Sequence, residues 1–435
     1  MSKNKGLMVL FAALCCQCLC SQPKVMGIDE LYSLAEQQSK SMQAYHTGKE
    51  SAEEELKVAK AQRLPDVAIS ASVSYLGNGK LWDRHFGNAT KIDMPHFGNN
   101  FALEVQQVLY AGGAIKSGIR LSELGVQLSE LDWQKNRQEI RFMLAGYYLE
   151  LHKLNNQQRV LRDNLALTEQ VIANMKARRE QGTVLKSDIT RYELQEETLK
   201  LQLVQVEDRC KIINYQLVTT LHLPPQTVIV PDSALIDSQV QALSERDWQQ
   251  LAMQSNIDLK QSSINVEVNR QKEKAERSEL IPHFAIVAAD HLDGPITIEV
   301  PVLDNNFNYW YVGVGVSYNL SSLFKNNRKL KQAKLNVRRA QETYELAQEQ
   351  VETSVQAGYV DFLTSFADLR TQEKSVELAD ENYAVVSNRY NNELALLTDM
   401  LDAGNTKLDA DLALVNARIN VVYNYYKMKY LTHTL

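Results

Sequence analysis

The sequence predicts a mainly α-helical protein with a smaller β part, organised as two tandem copies of one unit. Three observations lead to this prediction. Long stretches repeat their apolar residues at a period of about 3.5, short segments alternate strictly between apolar and small residues, and both patterns occur twice in the same order. The first pattern is typical of long supercoiled helices, the second of β-strands, and the third of a repeat architecture.

The composition excludes some classes of protein. The 435 residues carry a formal net charge of −6. Nucleic-acid-binding domains usually show a basic surface, so this balance argues against a nucleic-acid partner. The sequence contains no P-loop and no recognisable pairing of a nucleophile with a base, and His85, His96, His283 and His291 lack the spacing of metal ligands. The sequence therefore predicts no enzyme, no cofactor and no metal site.

Residues 1–21 predict a secretory signal peptide. Lys3 and Lys5 precede an apolar run that is shorter than the roughly 20 residues of a membrane-spanning helix, and cleavage is expected near Ser21. Four of the five cysteines lie in this segment, but none has a Leu three residues before it, so simple cleavage is favoured over a lipid anchor. Only Cys210 then remains, and no disulfide can form within one chain.

The first copy begins with a helix predicted over 29–63, which ends because Pro65 follows. Two strands are predicted next, over about 66–75 and about 101–110, because apolar residues occupy every second position. The segment between them is rich in Gly and Asn, which predicts a loop over 76–100.

A long helix and a returning helix complete the first copy. Apolar residues recur at three- and four-residue steps from Ile140 to Met175, and no proline interrupts the pattern. A helix over 113–178 would be roughly 100 Å long at about 1.5 Å per residue. The turn over 181–188 is predicted as the tip of a helical hairpin, with Ser187 as the N-cap of the returning helix.

The second half of the chain repeats this order. Residues 31–40 match residues 248–257, which begin 217 positions later, and residues 178–188 match residues 389–399, which begin 211 positions later. The chain is therefore predicted to consist of a signal peptide (1–21), a first repeat (22–227), a linker (228–243) and a second repeat (244–435). In the second repeat, two strands are predicted at about 283–290 and about 309–320, and the hairpin tip is predicted at about 391–399.

The predicted strands have the properties of membrane strands. Each is about ten residues long, which crosses a bilayer when the strand is tilted. One side is apolar with aromatic residues near the strand ends, and the other side is small or polar. Four strands cannot close a barrel and open edges are not tolerated in lipid, so three chains would share a barrel of about twelve strands. The alternative is a soluble antiparallel sheet covered by another part of the chain.

Several short stretches carry a resemblance to a known family over residues 28–431. Leu-Ala pairs at 34–35 and 251–252 lie in the first helix of each copy, and residues 109–113 resemble a Leu-Phe-x-Gly-Gly turn. The two hairpin tips, with Arg and Asp at matching positions, are the most family-like stretches. In this order and spacing, the sequence resembles the outer-membrane efflux protein family, the TolC family.

The resemblance implies a homotrimer that forms a twelve-stranded β-barrel in the outer membrane, continued by an α-helical barrel through the periplasm. It implies the exit duct of a tripartite efflux or type I secretion system, in contact with outer-membrane lipid. Its partners would be a periplasmic adaptor (membrane fusion) protein and an inner-membrane transporter of the RND or ABC type, which selects the cargo. The alternative from another class is a periplasmic coiled-coil scaffold or adhesin without a channel.

The chain departs from the family pattern in three places. Ser39-Lys40 and Asn256-Ile257 stand where the family often has Asn-Pro. Glu393 stands where Gly is usual, and Ala395 stands where some members have Arg. The last difference argues against an Arg-based latch from that position at the tip.

The hairpin tips contain the candidate functional residues. Asp399 and Asp402 lie three residues apart on one helix face, so a trimer would gather six carboxylates in a ring that favours cations, which the resemblance implies is the periplasmic gate. The alternative is that Asp399 only stabilises its helix N-terminus. A tip latch is predicted in which Asp188 bonds Tyr390 or pairs with Arg389, the alternative being a plain N-terminal carboxylate.

Overall fold

A computed structural model describes residues 23–232, 240 and 243–435. The signal peptide predicted over 1–21 lies outside the described residues, and so does much of the linker predicted over 228–243. The first residues of that linker form a short strand.

The described chain is dominated by eight helices whose lengths recur in order, at 11, 22, 67 and 35 residues and then 11, 22, 70 and 35. None of the helices in this part of the chain is both long and apolar enough to cross a membrane. They are α1 (Ile28–Gln38), α2 (Lys40–Ala61), α3 (Ala114–Glu180), α4 (Lys186–Thr220), α5 (Glu245–Ser255), α6 (Ile257–Ser278), α7 (Ser322–Asn391) and α8 (Leu397–Leu431).

The prediction of one helix over 29–63 is wrong, because the backbone is extended at Ser39 and separates α1 from α2. The same break separates α5 from α6 at Asn256. At this break Ile257 stands where the family often has Pro, and the Asn256 side chain forms the hydrogen bonds that stabilise the break. Asn256 Oδ1 accepts from the Leu259 N–H at 3.1 Å, and Nδ2 donates to the Leu431 carbonyl at 3.1 Å. An asparagine that accepts from one of the first N–H groups of α6 can therefore mark a helix break without Pro.

The described strands are β1 (Pro23–Met26), β2 (Asp66–Tyr75), β3 (Gly79–Leu81), β4 (Thr90–Ile92), β5 (Phe97–Tyr110), β6 (Val228–Pro231), β7 (His283–Gly294) and β8 (Phe307–Ser317). The strand predicted over 66–75 has these bounds, and the other three long strands differ from prediction by a few residues at their ends. The segment predicted as a loop over 76–100 contains the β3–β4 hairpin and the start of β5. Three-residue strands are too short to show an alternating pattern.

The long strands form one antiparallel sheet in the order β2-β5-β7-β8, with β2 and β8 at its edges. Because side chains alternate along a strand, the register determines which residues share a side. One side, here called the apolar face, contains Val67, Ile69, Val73, Phe101, Leu103, Val105, Ile286, Leu292, Trp310, Val312 and Val314. The opposite side, the small-residue face, contains Ala68, Ser70, Ser72, Ala102, Ala285, Ala289, Gly313 and Gly315.

The apolar face contains one acidic exception. Asp290 lies opposite Trp310 and beside Leu103 in the register. Its Oδ1 accepts from Asn308 Nδ2 at 2.7 Å. The amide thus satisfies part of the hydrogen-bonding capacity of a carboxylate that an apolar surface would otherwise leave unpaired.

The chain forms two compact units. The helical unit comprises the described residues up to His46 together with Asp132–Leu259 and Ala347–Leu435, and the sheet unit comprises Thr47–Leu131 and Lys260–Leu346. The largest apolar core of the helical unit includes Leu31, Ala35, Leu144, Tyr148, Leu149, Leu217, Ile229, Ile419 and Val422.

A small parallel sheet of β1 and β6 packs on this core, and the sequence did not predict it. The Tyr148 hydroxyl donates to Asp232 Oδ1 at 2.8 Å, just after β6. Burial and the bond to Asp232 raise the pKa of Tyr148, so this hydroxyl remains a donor. The start of the predicted linker is therefore held against the helices by hydrogen bonds as well as apolar contacts.

Candidate functional site at the helical turns

The two helical hairpins end in turns of matching backbone geometry. In the first turn, the Thr183 N–H donates to the Arg178 carbonyl at 3.2 Å, and Gly182 has φ 81°. In the second turn, the Leu394 N–H donates to the Arg389 carbonyl at 2.8 Å, and Glu393 has φ 63°. Both turns thus end a helix with one residue in the left-handed region, which glycine adopts without cost and glutamate does not.

An apolar cluster packs the two turns together within the helical unit. Its buried members come from α3, α4 and α8: Ile172, Met175, Ile189, Tyr192, Leu397 and Met400. Tyr383 and Tyr390 of α7 pack against them and are half-buried. Burial raises the pKa of Tyr192, so its ring stays neutral inside the cluster. All four helices of the two hairpins therefore share one small core next to the turns.

The helix starts after the turns differ from prediction in one respect. The N-cap predicted at Ser187 is wrong, because α4 begins at Lys186 and Leu185 occupies the N-cap without a side-chain bond. In the second hairpin, Leu396 occupies the same position, and its N–H donates to Asp399 Oδ2 at 3.1 Å. A carboxylate three residues into the helix thus satisfies the N-cap donor in place of an N-cap side chain.

The structure places the predicted gate residues at the start of α8. Asp399 lies in the first turn of the helix and binds the Leu396 N–H, as the capping alternative describes. Asp402 lies one turn later, and both side chains are exposed. The carboxylate of Asp399 can therefore accept the hydrogen bond that caps α8 and still face solvent.

The predicted latch residues lie close together, but their contacts differ from those expected. Arg389 Nη2 donates to the Leu394 carbonyl of its own turn at 3.3 Å. The cation beside Tyr390 is Arg178 of the first hairpin, whose guanidinium lies 5.9 Å from the ring centroid. Burial raises the pKa of Tyr390, Arg178 opposes this, and the charge of Asp188 adds to it. Asp188 and Tyr390 are thus within electrostatic reach, and the arginine in contact with the Tyr390 ring is Arg178 of the first hairpin.

One ion pair joins the two turns. Arg178 Nη2 donates to Glu393 Oε1 at 3.1 Å, and Glu393 is largely exposed. Sequence reasoning noted Glu393 only as a departure from the usual Gly, yet that departure was the available signal. A carboxylate at a position where glycine relieves backbone strain indicates that the side chain has a contact of its own.

A second charged group lies further along the second hairpin. Lys407 of α8 contacts Asp380 of α7, and its Nζ lies 3.8 Å from Asp411 Oδ2. Burial alone would lower the pKa of Lys407, but its bond to Asp380 and the charge of Asp411 raise it. Burial also raises the pKa of Asp411. Sequence reasoning did not identify this group, because the contact between α7 and α8 depends on packing.

Comparison with known proteins agrees with this architecture of a two-faced sheet and long helical hairpins. The family model of outer membrane efflux proteins matches residues 31–221 and 248–427, which is most of the chain. The chain therefore belongs to the outer membrane efflux protein family. The resemblance seen in the sequence is confirmed, and the chain is an outer-membrane protein of a family of transport conduits rather than enzymes.

Individual relatives are distant in sequence. Outer membrane protein TolC of Salmonella enteritidis is 21% identical over 418 residues, covering 93% of this chain and 82% of that protein. The outer membrane protein VceC of Vibrio cholerae has a TM-score of 0.77 at 17% identity, covering 93% of this chain and 96% of that one. The MtrE outer membrane channel of Neisseria gonorrhoeae, in its open state, has a TM-score of 0.73 at 15% identity, covering 93% and 88%. At such identities the structures establish the shared fold.

Within the described residues, no group of three or more His, Cys, Asp or Glu side chains is arranged to hold a metal ion. Arg178 and Glu393 pair with each other across the turns, and Asp399 binds the start of its own helix. The arrangement is suited to holding two hairpins together and to presenting carboxylates to solvent.

Proposed function

We propose that this protein is the exit duct of a tripartite efflux or type I secretion system, formed by three copies of the chain. The two tandem repeats, 22–227 and 244–435, would each supply two strands and one helical hairpin. Three sheets of four strands would close a twelve-stranded barrel in the outer membrane, and the hairpins would continue as a helical tube in the periplasm. The family of outer membrane efflux proteins supports this assignment.

The two-sided sheet is the observation that carries the proposal. Ile69 is 83% exposed and Trp310 is 73% exposed on the apolar face, which is a surface suited to lipid and not to water. Strands β2 and β8 each have only one neighbour in the described sheet. Unpaired strand edges are not tolerated in the bilayer core, so further copies of the chain are the natural partners for these edges.

The duct would be passive and depend on partners for energy. An outer-membrane conduit that exports cargo needs a pump in the inner membrane and a protein that joins the two. We therefore assign a periplasmic adaptor (membrane fusion) protein and an RND or ABC transporter as the partners. The cargo would be selected by that transporter.

The gate would lie at the helical turns. In a trimer, the exposed carboxylates of Asp399 and Asp402 would form a ring of six, which attracts cations and repels anions. The first turn of α8 is favourable for such charges because it carries the positive end of the helix dipole. A cation-preferring constriction at the periplasmic entrance is the expected result.

The latch of the closed state would combine predicted and unpredicted residues. Asp188 and Tyr390 would contribute as predicted, and Arg178 with Glu393 would join the first turn to the second in place of Arg389. Because Glu393 is exposed, this ion pair contributes about 0–1 kcal/mol. A weak pair suits a latch that a docked partner has to break.

Single-channel recording in planar bilayers tests the proposal. The purified protein should run as a trimer in detergent and conduct ions, with a preference for cations that falls when Asp399→Ala and Asp402→Ala are combined. Asp163→Ala, at an exposed position of α3 away from the turns, is the matched control and should leave selectivity unchanged. A water-soluble monomer without conductance would support the scaffold or adhesin alternative, and unchanged selectivity in the double variant would remove the gate.

A further inference from the structure

Aromatic rings and carboxylates gather on the small-residue face near the loop ends of β7 and β8. In the register, His291 pairs with Tyr309, Ala289 pairs with Tyr311, and Asp293 pairs with Phe307. Directly paired residues share a side of the sheet, so these six side chains stand on one face. The rest of that face consists mainly of Ala, Ser and Gly, which makes the rings the bulkiest groups on it.

The rings form a continuous stack. The His291 centroid lies 5.0 Å from that of Tyr309 and 6.3 Å from that of Tyr311, with interplanar angles of 15° and 14°. The Phe307 ring stacks on Tyr309 at 5.4 Å. Tyr309 is 37% exposed and Tyr311 is 47% exposed, so the stack leaves ring surface open to solvent. Tyr309 and His291 are covered on both sides by other rings of the stack, whereas Tyr311, at its end, stacks on His291 on one side only and leaves its other face open.

The open space beside the stack lies at Gly313. Ala102 pairs with His291, Ala289 pairs with Tyr311, and both alanines are only 7% exposed because neighbouring side chains cover them. Gly313 follows Tyr311 on the same face of β8, and a Cβ built there would meet no atom within 4 Å. A flat group can therefore lie against the open face of Tyr311 above Gly313.

Two carboxylates flank the stack. Asp293 accepts a hydrogen bond from Asn100 Nδ2 and lies 3.4 Å from the Tyr309 hydroxyl, and Glu104 pairs with Ala289 in the register. Neither carboxylate forms an ion pair with a Lys or Arg of the described chain. Their negative charge is thus not compensated by a cationic side chain next to the ring stack.

We propose that this wall is a binding subsite for organic cations that carry an aromatic ring, such as aryl ammonium compounds in transit. An ammonium group is attracted both to aromatic faces and to the two carboxylates, while a flat ring stacks on the exposed tyrosine. The inference rests on the proposed function, in which the small-residue face lines the aqueous duct. The subsite would slow cationic aromatic cargo on the duct wall and leave small inorganic ions unaffected.

Block of potassium current by benzyltrimethylammonium tests the inference, with the purified trimer in planar bilayers. The double variant Tyr309→Leu with Tyr311→Leu should weaken the block about tenfold, because the open aromatic face and the ring stack that supports it are both lost. Trp310→Leu is a matched control, because Trp310 lies between the two tyrosines in sequence but on the opposite face. It should change the block less than about twofold.

A variant without the two negative charges tests the carboxylates independently of the tyrosines. Glu104→Gln with Asp293→Asn should weaken the block by benzyltrimethylammonium several-fold, and neutral benzyl alcohol should block none of the proteins. Equal block in the tyrosine variant and the wild type, or equal weakening by Trp310→Leu, would overturn the subsite. Block by benzyl alcohol as strong as that by the cation would overturn the assignment to cations. A wild-type trimer without potassium current would refute the duct itself, a result distinct from a conducting channel whose block is unaltered.

Discussion

The two helical turns share a backbone geometry and differ in the residue that occupies its left-handed position. Gly182 has no side chain there, whereas Glu393 holds a φ of 63° and reaches Arg178 of the other turn. A non-glycine residue in this region costs about 1–2 kcal/mol, and an exposed ion pair returns about 0–1 kcal/mol. The second turn is therefore not optimised for its own stability, and the Glu393 side chain instead forms a contact between the hairpins.

The charges behind the turns are also exchanged between the hairpins. In the first, Lys200 Nζ lies 2.6 Å from Glu196 Oε1, and 44% of the Lys200 side chain is exposed. At the 211-residue offset, the second hairpin has Lys407 in place of Glu196 and Asp411 in place of Lys200, with 25% and 23% of their side chains exposed. The same helical positions thus carry the two charges in opposite order, and the lysine is more shielded from solvent in the second repeat.

The largest expected effect comes from exchanging the left-handed residues. Gly182→Glu should destabilise the first turn by about 1–2 kcal/mol, because it introduces the strain without a partner. Glu393→Gly should relieve strain and leave the melting temperature unchanged or raised, while it removes the bridge to Arg178. Hydrogen exchange of the turn amides measures both, and a loss of protection in Glu393→Gly would contradict the comparison.

The next effect separates the two arginines. Arg178→Ala removes the contacts to Glu393 and Tyr390, so the channel should open more often in single-channel recordings. Arg389→Ala removes only a bond within its own turn and serves as the control, with a smaller effect on opening. If Arg389→Ala opened the channel more than Arg178→Ala, the latch predicted from the sequence would be preferred.

The third prediction compares the stability loss on removal of each gate carboxylate. Asp399→Ala should cost about 1 kcal/mol of stability, because the Leu396 N–H loses its acceptor, whereas Asp402→Ala should cost little. Thermal unfolding monitored by circular dichroism measures the difference. Equal stability of the two variants would show that the capping bond contributes nothing.

The smallest effect concerns the half-buried charge pair. The pKa of Asp411 is raised above its ordinary 3.8 by burial, so the folded protein holds this proton more tightly than the unfolded chain does. Stability from this group is therefore present below pH 3.8 and is lost as the pH rises through the folded pKa. Asp411→Asn should raise the melting temperature slightly at neutral pH and have no effect in acid. A stabilisation of the same size at both pH values would contradict this cause.

The long elements were predictable, and several of their ends were not. The alternation over 66–75 predicted β2 with its observed bounds, because one side of that strand is apolar along its whole length. The break at Ser39 was missed, since the residue is compatible with a helix and only its extended backbone ends α1. The β1–β6 pair was missed because strands of four residues show no period.

The kinds of elements, their order and the two-sided character of the strands could be predicted from the amino-acid sequence. Those properties follow from local periodicity, which records the side of each helix or strand that avoids water. The contact of Arg178 with Tyr390 and Glu393, and the stacking of His291, Tyr309 and Tyr311 near Glu104 and Asp293, are seen only in the tertiary structure. Contacts between residues so far apart in the chain depend on packing angles and strand register, which a single periodic pattern does not encode.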